Sequence, residues 1–235
     1  MRIAVFGANG PTGRLLVGQA LAAGHSVAAV TRKPESFPLQ HDSLEVVGAD
    51  VLDPAAVDAA VDAAVAGCDA VLSVLGVPFG KQPITTYSRG VGAIAGAMRR
   101  HGVRRLVVVS SSAVDPHPYA DAGFVFNRVL QPYVTRVLGK TLYDDMRRME
   151  DLVRGSDLDW TIVRPSGLYD LPEVTEYTIV EGRAEGRYTS RADLAACLLA
   201  VLADDRYLGS TLGVVTTTDN PTILQVIRRE AFARN

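Results

Sequence analysis

Met1-Arg2-Ile3-Ala4-Val5-Phe6-Gly7-Ala8-Asn9-Gly10-Pro11-Thr12-Gly13-Arg14-Leu15-Leu16-Val17-Gly18-Gln19-Ala20-Leu21 opens the chain, and its reading decides the fold. A short apolar run, glycines at every third position and then apolar residues at helical spacing make a strand, a turn and a helix, the start of a dinucleotide-binding unit. Gly7 ends the strand where the chain must turn sharply, and Gly10 removes a side chain where the backbone has to approach a pyrophosphate. Gly13 lets the new helix lie against the strand. Pro11 suits the first helical position, since the amide hydrogen it lacks would have no partner there. The amides of Thr12, Gly13 and Arg14 are expected to face the anion, which the partial positive charge of the helix end favours. Gly7, Asn9, Gly10, Pro11, Thr12 and Gly13 are therefore the first candidate cofactor-binding residues.

Working outward, apolar strands alternate with helical segments. Strands are predicted over Ser26 to Thr31, Leu44 to Gly48, Ala70 to Val74, Arg105 to Val109 and Trp160 to Arg164, with helices over Pro54 to Ala64, Thr85 to His101 and Thr141 to Arg154. Asp53 caps the first of these helices, with Pro54 at its first position. Such alternation implies a doubly wound parallel sheet with helices on both faces, an α/β Rossmann fold. Beyond Arg164 the pattern loosens into strands at Glu176 to Val180 and Leu212 to Thr216, a helix over Arg191 to Ala203 and a terminal helix over Thr222 to Phe232. All 235 residues read as one domain with a small C-terminal acceptor-binding part, its elements mainly in 115–140 and 165–190.

The net charge is −2, and lysine occurs only at Lys33, Lys81 and Lys140, so no basic face for nucleic acid is expected. The longest apolar run, Leu194 to Ala203, is well short of the roughly 18 residues of a membrane span. No signal-peptide pattern precedes the first strand, and Cys68 and Cys197 lie at no metal-ligand spacing. A reduced, cytoplasmic protein without a metal is the expectation.

The end of the second strand selects the cofactor. An acidic residue about 20 residues beyond the glycines accepts from the ribose 2′-hydroxyl of NAD, whereas arginine accommodates the 2′-phosphate of NADP. Here the stretch reads Thr31-Arg32-Lys33-Pro34-Glu35, with cations where the acid would stand. Arg32 and Lys33 therefore point to NADPH. Asp50 and Val51, after the third strand, are placed to bracket an adenine, and Val74, Leu75 and Gly76, after the fourth, to line the ribose. Ser110 and Ser112 follow the fifth strand and Pro165 closes the sixth.

Gly7 to Gly13, Ser110-Ser111-Ser112-Ala113 and Leu158-Asp159-Trp160-Thr161-Ile162-Val163-Arg164-Pro165-Ser166-Gly167 resemble the atypical short-chain dehydrogenase/reductases of the NmrA-like NAD(P)H-binding type. The second half, from Asp144-Asp145-Met146-Arg147-Arg148-Met149-Glu150 through Ser190-Arg191-Ala192-Asp193-Leu194, is similar to the flavin reductase/biliverdin-IXβ reductase branch. That resemblance implies a monomer or weak homo-oligomer that uses NADPH to reduce flavins and other flat, conjugated acceptors. It also implies that Ser112 lies near the nicotinamide and that the backbone after Arg164-Pro165 meets the carboxamide. A histidine that some of that branch carry just after this proline is Gly167 here, a departure that speaks against tetrapyrrole reduction.

Ordinary short-chain dehydrogenases use a tyrosine as acid–base with a lysine four residues on, whose charge lowers the tyrosine pKa. No tyrosine here has that lysine; Tyr143 with Arg147, one helical turn apart, stands nearest to the pattern. Ser112 and Tyr143 are thus the candidate catalytic residues. Pro116, His117, Pro118, Tyr119, Phe124, Phe126 and Tyr133 suit a wall for a flat acceptor such as a flavin or quinone. Three classes compete: an NADPH-dependent reductase of such an acceptor, a non-catalytic NADP(H) sensor that docks a protein partner, and a carbonyl reductase or sugar epimerase, which the missing lysine disfavours.

Overall fold

The computed structural model describes residues 1–80, 82–118 and 123–218. The predicted terminal helix, Thr222 to Phe232, and Tyr119 lie outside them.

The strands are β1 (Arg2–Phe6), β2 (Ser26–Thr31), β3 (Leu44–Gly48), β4 (Ala70–Ser73), β5 (Arg105–Val109), β6 (Asp159–Pro165), β7 (Gly167–Tyr169), β8 (Tyr177–Glu181), β9 (Tyr188–Ser190) and β10 (Ser210–Thr216). Helices α1 (Pro11–Ala22), α2 (54–65), α3 (Thr86–His101), α4 (123–138), α5 (Lys140–Arg154) and α6 (Arg191–Leu202) connect them; α2 and α4 alternate α-helical and wider π-helical turns. Eight strands form one sheet in the order β3-β2-β1-β4-β5-β6-β10-β8. All pairings are parallel except that of β8 with β10, which is antiparallel, so the expected all-parallel sheet gains a reversed edge.

Both faces of the sheet are covered, which explains why its strands are continuously apolar. Alternate residues point to opposite sides. Ala4, Phe6, Val71, Leu106 and Ile162 meet Val91, Ile94 and Met98 of α3 and Met146, Met149 and Val153 of α5. Ile3, Val5, Leu72, Val107 and Val163 meet Leu16, Val17 and Ala20 of α1 and Leu194, Leu198 and Val201 of α6. Each fully buried side chain of this size contributes about 1.5–3 kcal/mol. Asp145, buried on α5, accepts from the backbone N–H of Tyr87 at 2.8 Å and of Ser88 at 3.3 Å, capping the start of α3 from a neighbouring helix.

Parallel strands put all their carboxyl ends on one edge. Going from β1 to β2 and β3 the chain moves one way; from β1 to β4, β5 and β6 it moves the other. The crevice of an open α/β sheet lies at that reversal, between β1 and β4.

Two expectations change. Residues 115–140, read as a proline- and aromatic-rich wall, include helix α4, whose Phe124 (75 % exposed), Val125, Val129 and Val137 face solvent. The stretch after Arg164 carries β7 and β9, a separate two-stranded parallel sheet that short polar sequences did not signal.

Candidate functional site

At the crevice, Gly7 has φ +81°, and a Cβ there would lie 2.6 Å from the Val74 carbonyl oxygen. The turns after β1 and β4 therefore touch, and only glycine fits. A Cβ at Gly13 would overlap the carbonyl oxygens of Gly7 and Ala8, so that glycine lets α1 close onto the turn. Gly10 is different: an added Cβ meets only the Gly7 oxygen, at 3.3 Å, and otherwise faces open space. No side chain caps α1. Its first turn bond runs from the N–H of Arg14 to the Gly10 carbonyl at 3.0 Å. That bond takes Arg14 out of the expected set of ligand-facing amides and leaves those of Thr12 and Gly13. An uncapped helix start with glycine clearance fits a dinucleotide pyrophosphate.

The side chain of Arg14 takes another part. Its Nε donates to Asn9 Oδ1 at 2.9 Å, Asn9 Nδ2 donates to Ser36 Oγ at 3.0 Å, and Ser36 Oγ donates to the Lys33 carbonyl at 3.0 Å. This chain ties the glycine turn to the turn after β2, so that Arg14 joins Arg32 and Lys33 at one exposed corner. The sequence points to Arg14 only for its backbone amide, and does not point to Ser36. The signal was the cation directly after Gly13, on the first helical turn.

Asp50 closes its own turn, its Oδ1 accepting from Leu52 N at 2.9 Å and its carbonyl from Asp53 N at 3.1 Å. Asp53 Oδ1 accepts from Ala55 N at 3.0 Å, the expected cap of α2. Val51 and Leu75 both rest on Gly90 of α3, where a Cβ would come within 2.9 Å of either side chain. Gly90 thus sets how far the turns after β3 and β4 can settle. Val74 N donates to Phe6 O at 2.9 Å, and a Cβ at Gly76 would meet nothing within 4 Å.

At the other end of the edge, Ser110 is buried, Ser111 Oγ accepts from Ala113 N at 3.2 Å, and Ser112 begins the short helical turn that follows. Arg147 of α5 donates from Nε to the Val114 carbonyl at 2.9 Å and from Nη1 to Asp144 Oδ1 at 2.8 Å. Arg147 therefore holds the turn that carries Ser112. Tyr143, one helical turn earlier, is 8 % exposed and lies edge-on to Phe79 with ring centroids 6.1 Å apart. Its surroundings are those of a packing aromatic, and the Arg147 guanidinium is bound elsewhere.

Glu150 of α5 is 1 % exposed and takes a two-pronged grip from Arg164 on β6, Nε to Oε1 at 2.8 Å and Nη2 to Oε2 at 2.6 Å. Arg154 adds a third bond to Oε2 at 2.8 Å. Burial by itself pushes the Glu150 carboxyl up, but Arg164, Ser110 and Arg154 outweigh it and hold the group below its ordinary value. Beside this pair a narrow cleft is lined by Ser112, Asp115, Arg164, Ser166, Gly182, Arg183, Ala184 and Gly213. Pro165 is buried beside it, and Ser166 is pinned by its N–H to Thr189 Oγ1 at 2.9 Å and its hydroxyl to the Gly186 carbonyl at 2.8 Å. The loop over the cleft is pressed so close that a Cβ at Gly213 would overlap the Ala184 nitrogen.

His117 is buried, with its carbonyl accepting from Gln131 Nε2 at 2.9 Å. Among the described residues no group of His, Cys, Asp and Glu is arranged to hold a metal, and no helix is long and apolar enough to cross a membrane. Cys68 and Cys197 are free and buried, and burial pushes the Cys197 thiol up to about 12.

A doubly wound sheet whose order reverses beside a glycine turn and an uncapped helix, with further turns converging on the same edge, defines a Rossmann-type protein built to bind a dinucleotide. Residues 7–205 match the NAD(P)H-binding family, and the chain belongs to that family. It is 27 % identical over 228 residues to the uncharacterized sugar epimerase YhfK of Bacillus subtilis (strain 168), covering 94 % of this chain and 96 % of that protein. It is 32 % identical over 163 residues to a (4-alkanoyl-5-oxo-2,5-dihydrofuran-3-yl)methyl phosphate reductase of Streptomyces griseus, covering 69 % of this chain and 46 % of the reductase. A short-chain dehydrogenase/reductase of Veillonella parvula, solved in complex with NADP, superposes with a TM-score of 0.75 at 20 % identity, covering 94 % of this chain and 99 % of that one.

Proposed function

We propose that the chain is an NADPH-dependent reductase that delivers hydride to a flavin, a quinone or a similar conjugated acceptor, as the resemblance to the flavin reductase branch implies. The observation that carries this reading is the arrangement at the ends of β5 and β6, where a serine turn and a held guanidinium line a cleft, in a sequence in which no tyrosine has a lysine four residues on. A reaction that must move a hydroxyl proton needs such a dyad, whereas hydride transfer to a conjugated ring can draw its proton from water. The Streptomyces relative, a reductase by name, points the same way.

Bound NADPH supplies the hydride. Thr12 and Gly13 offer N–H groups to its pyrophosphate, while Arg14, Arg32 and Lys33 offer positive charge to a 2′-phosphate. Asp50, Val51, Val74, Leu75 and Gly76 border the adenine and ribose, and Ser110, Ser112 and Pro165 border the nicotinamide end. Ser112 orients the nicotinamide or the acceptor through its hydroxyl. The test is NADPH oxidation against a panel of flavins, quinones and ketones, run beside direct titration of NADPH and NADH. Turnover with flavins or quinones and not with ketones is expected; turnover with ketones alone overturns the reading.

The exposed apolar face of α4, with Phe124, Val125, Val129 and Val137, favours a second reading, an NADP(H) sensor that docks a protein partner. Tight NADPH binding without turnover of any acceptor would support it.

A further inference from the structure

Arg164 is more than half of an ion pair. Nε and Nη2 both go to Glu150, one edge of the fork against one carboxylate, while Nη1 has no hydrogen-bond partner among the described residues. A guanidinium is planar and rigid, so once one edge is fixed the direction of the remaining N–H groups is fixed as well. Arg164 lines the cleft together with Ser112 and Ser166.

Among the described residues the cleft itself is lined by two cations, Arg164 and Arg183, and one acid, Asp115. Arg164 and Arg154 share the Glu150 carboxylate, Arg154 also standing 3.7 Å from Asp151, and Arg183, 52 % exposed, stands at the cleft wall 3.8 Å from Glu185. Space is selective. The enclosed space is about 10 Å³, the room of one water, and the cleft is open to solvent beyond it. That space admits a single oxygen and no ring.

We propose that Arg164 is the catalytic residue that receives the negative charge of the reaction, donating from its Nη1 edge to an acceptor oxygen, and that Glu150 is the positioning residue that aims it. The inference rests on the reductase reading and narrows its substrate class to conjugated carbonyl compounds, quinones, enones or a flavin's ring carbonyl, whose oxygen fits the one-water space while its ring stays outside it. A C–H bond of the reduced nicotinamide breaks, its hydrogen and both electrons form a new bond to the acceptor, and the displaced π pair moves onto the acceptor oxygen. Arg164 stabilises that oxyanion without giving up a proton, since a guanidinium stays charged. Water then protonates the oxygen, leaving the nicotinamide oxidised and the acceptor reduced by two electrons.

The experiment uses 4-nitrophenol, whose ionised oxygen on a flat ring mimics the charged product, titrated into the full chain without cofactor and followed by phenolate absorbance across pH. The bound probe is expected to ionise about one pH unit or more below the free probe. In Glu150→Gln/Arg164→Gln, which removes both buried charges together, the depression is expected to vanish while circular dichroism stays that of the parent. A bound probe in the parent that titrates like the free one, or no detectable binding, overturns the proposal without recourse to any variant; so does an undiminished depression in the double variant. With no NADPH present, the outcome is independent of the acceptor panel, so the failure of either reading is told apart from the failure of the other.

Discussion

Replacing Glu150 by Gln tests whether the buried cluster under the cleft is worth what its geometry implies. Glu150 is 1 % exposed and accepts bonds at 2.8 and 2.6 Å from Arg164 and 2.8 Å from Arg154. Glutamine keeps the shape, but loses the charge and turns an N–H₂ toward a guanidinium. Removing one partner of a buried pair costs about 3–5 kcal/mol. The side chains of Arg154, 38 % exposed, and Arg164, 16 % exposed, keep some water, which places the cost near the lower end. About 3 kcal/mol in a chain of this size lowers Tm by about 6–12 °C. Thermal unfolding by circular dichroism at pH 7 measures it. The pH dependence has a definite sign, because the folded-state pKa of Glu150 lies below its ordinary value of 4.5. The stabilisation is complete above that value and is lost as pH falls through the lowered one, so the deficit of Glu150→Gln should shrink in acid. Glu150→Gln/Arg164→Gln, which leaves only the 38 % exposed Arg154 without Glu150 and still beside Asp151, should recover most of the loss. A Tm within about 2 °C of the parent at pH 7, against the ~6 °C minimum expected, or a deficit that widens in acid, would refute the reasoning.

Isothermal titration should show NADPH binding at least about tenfold more tightly than NADH, about 1.4 kcal/mol, with the preference reduced in Arg14→Ala and lost in Arg32→Glu; equal affinities in the parent would remove the NADP assignment. Gly10→Val should abolish dinucleotide binding yet leave the melting curve near the parent's, because the space beside Gly10 is open. Gly13→Ala, whose Cβ overlaps the Gly7 carbonyl, should instead lower the melting temperature, and the reverse pattern would mean that the turn is only structural. In single-turnover NADPH oxidation, Ser112→Ala should cost about tenfold, about 1.4 kcal/mol of barrier, and Tyr143→Phe less. A thousandfold loss in Tyr143→Phe would make Tyr143 and Arg147 a working acid–base dyad and sink the flavin or quinone reading.

What the sequence determined by itself is what depends on neighbours along the chain. The bounds of β2, β3 and β5 match the apolar runs, and Asp53 caps α2 two residues from its own N–H partner, because strand alternation, turns and caps are set by chemistry within a few residues. The glycine turn was legible for the same reason, the demand on Gly13 coming from the carbonyls of Gly7 and Ala8 close by in the chain, while the contact that demands Gly7 comes from Val74 in the turn after β4. The tertiary structure decided the rest. Asn9 and Ser36 are 27 residues apart, and only the pairing of β1 with β2 brings them together and carries Arg14 to the cation corner. Helical spacing put Tyr143 and Arg147 on one face of α5, yet their partners, Phe79 and the Val114 carbonyl, come from other turns and give them separate roles. Glu150 and Arg164 read along the chain as one more charge on a helix and one at a strand end. They become a buried pair because α5 lies across the face of the sheet on which Arg164 falls, a contact fixed by strand order and crossover and written in no single stretch of residues.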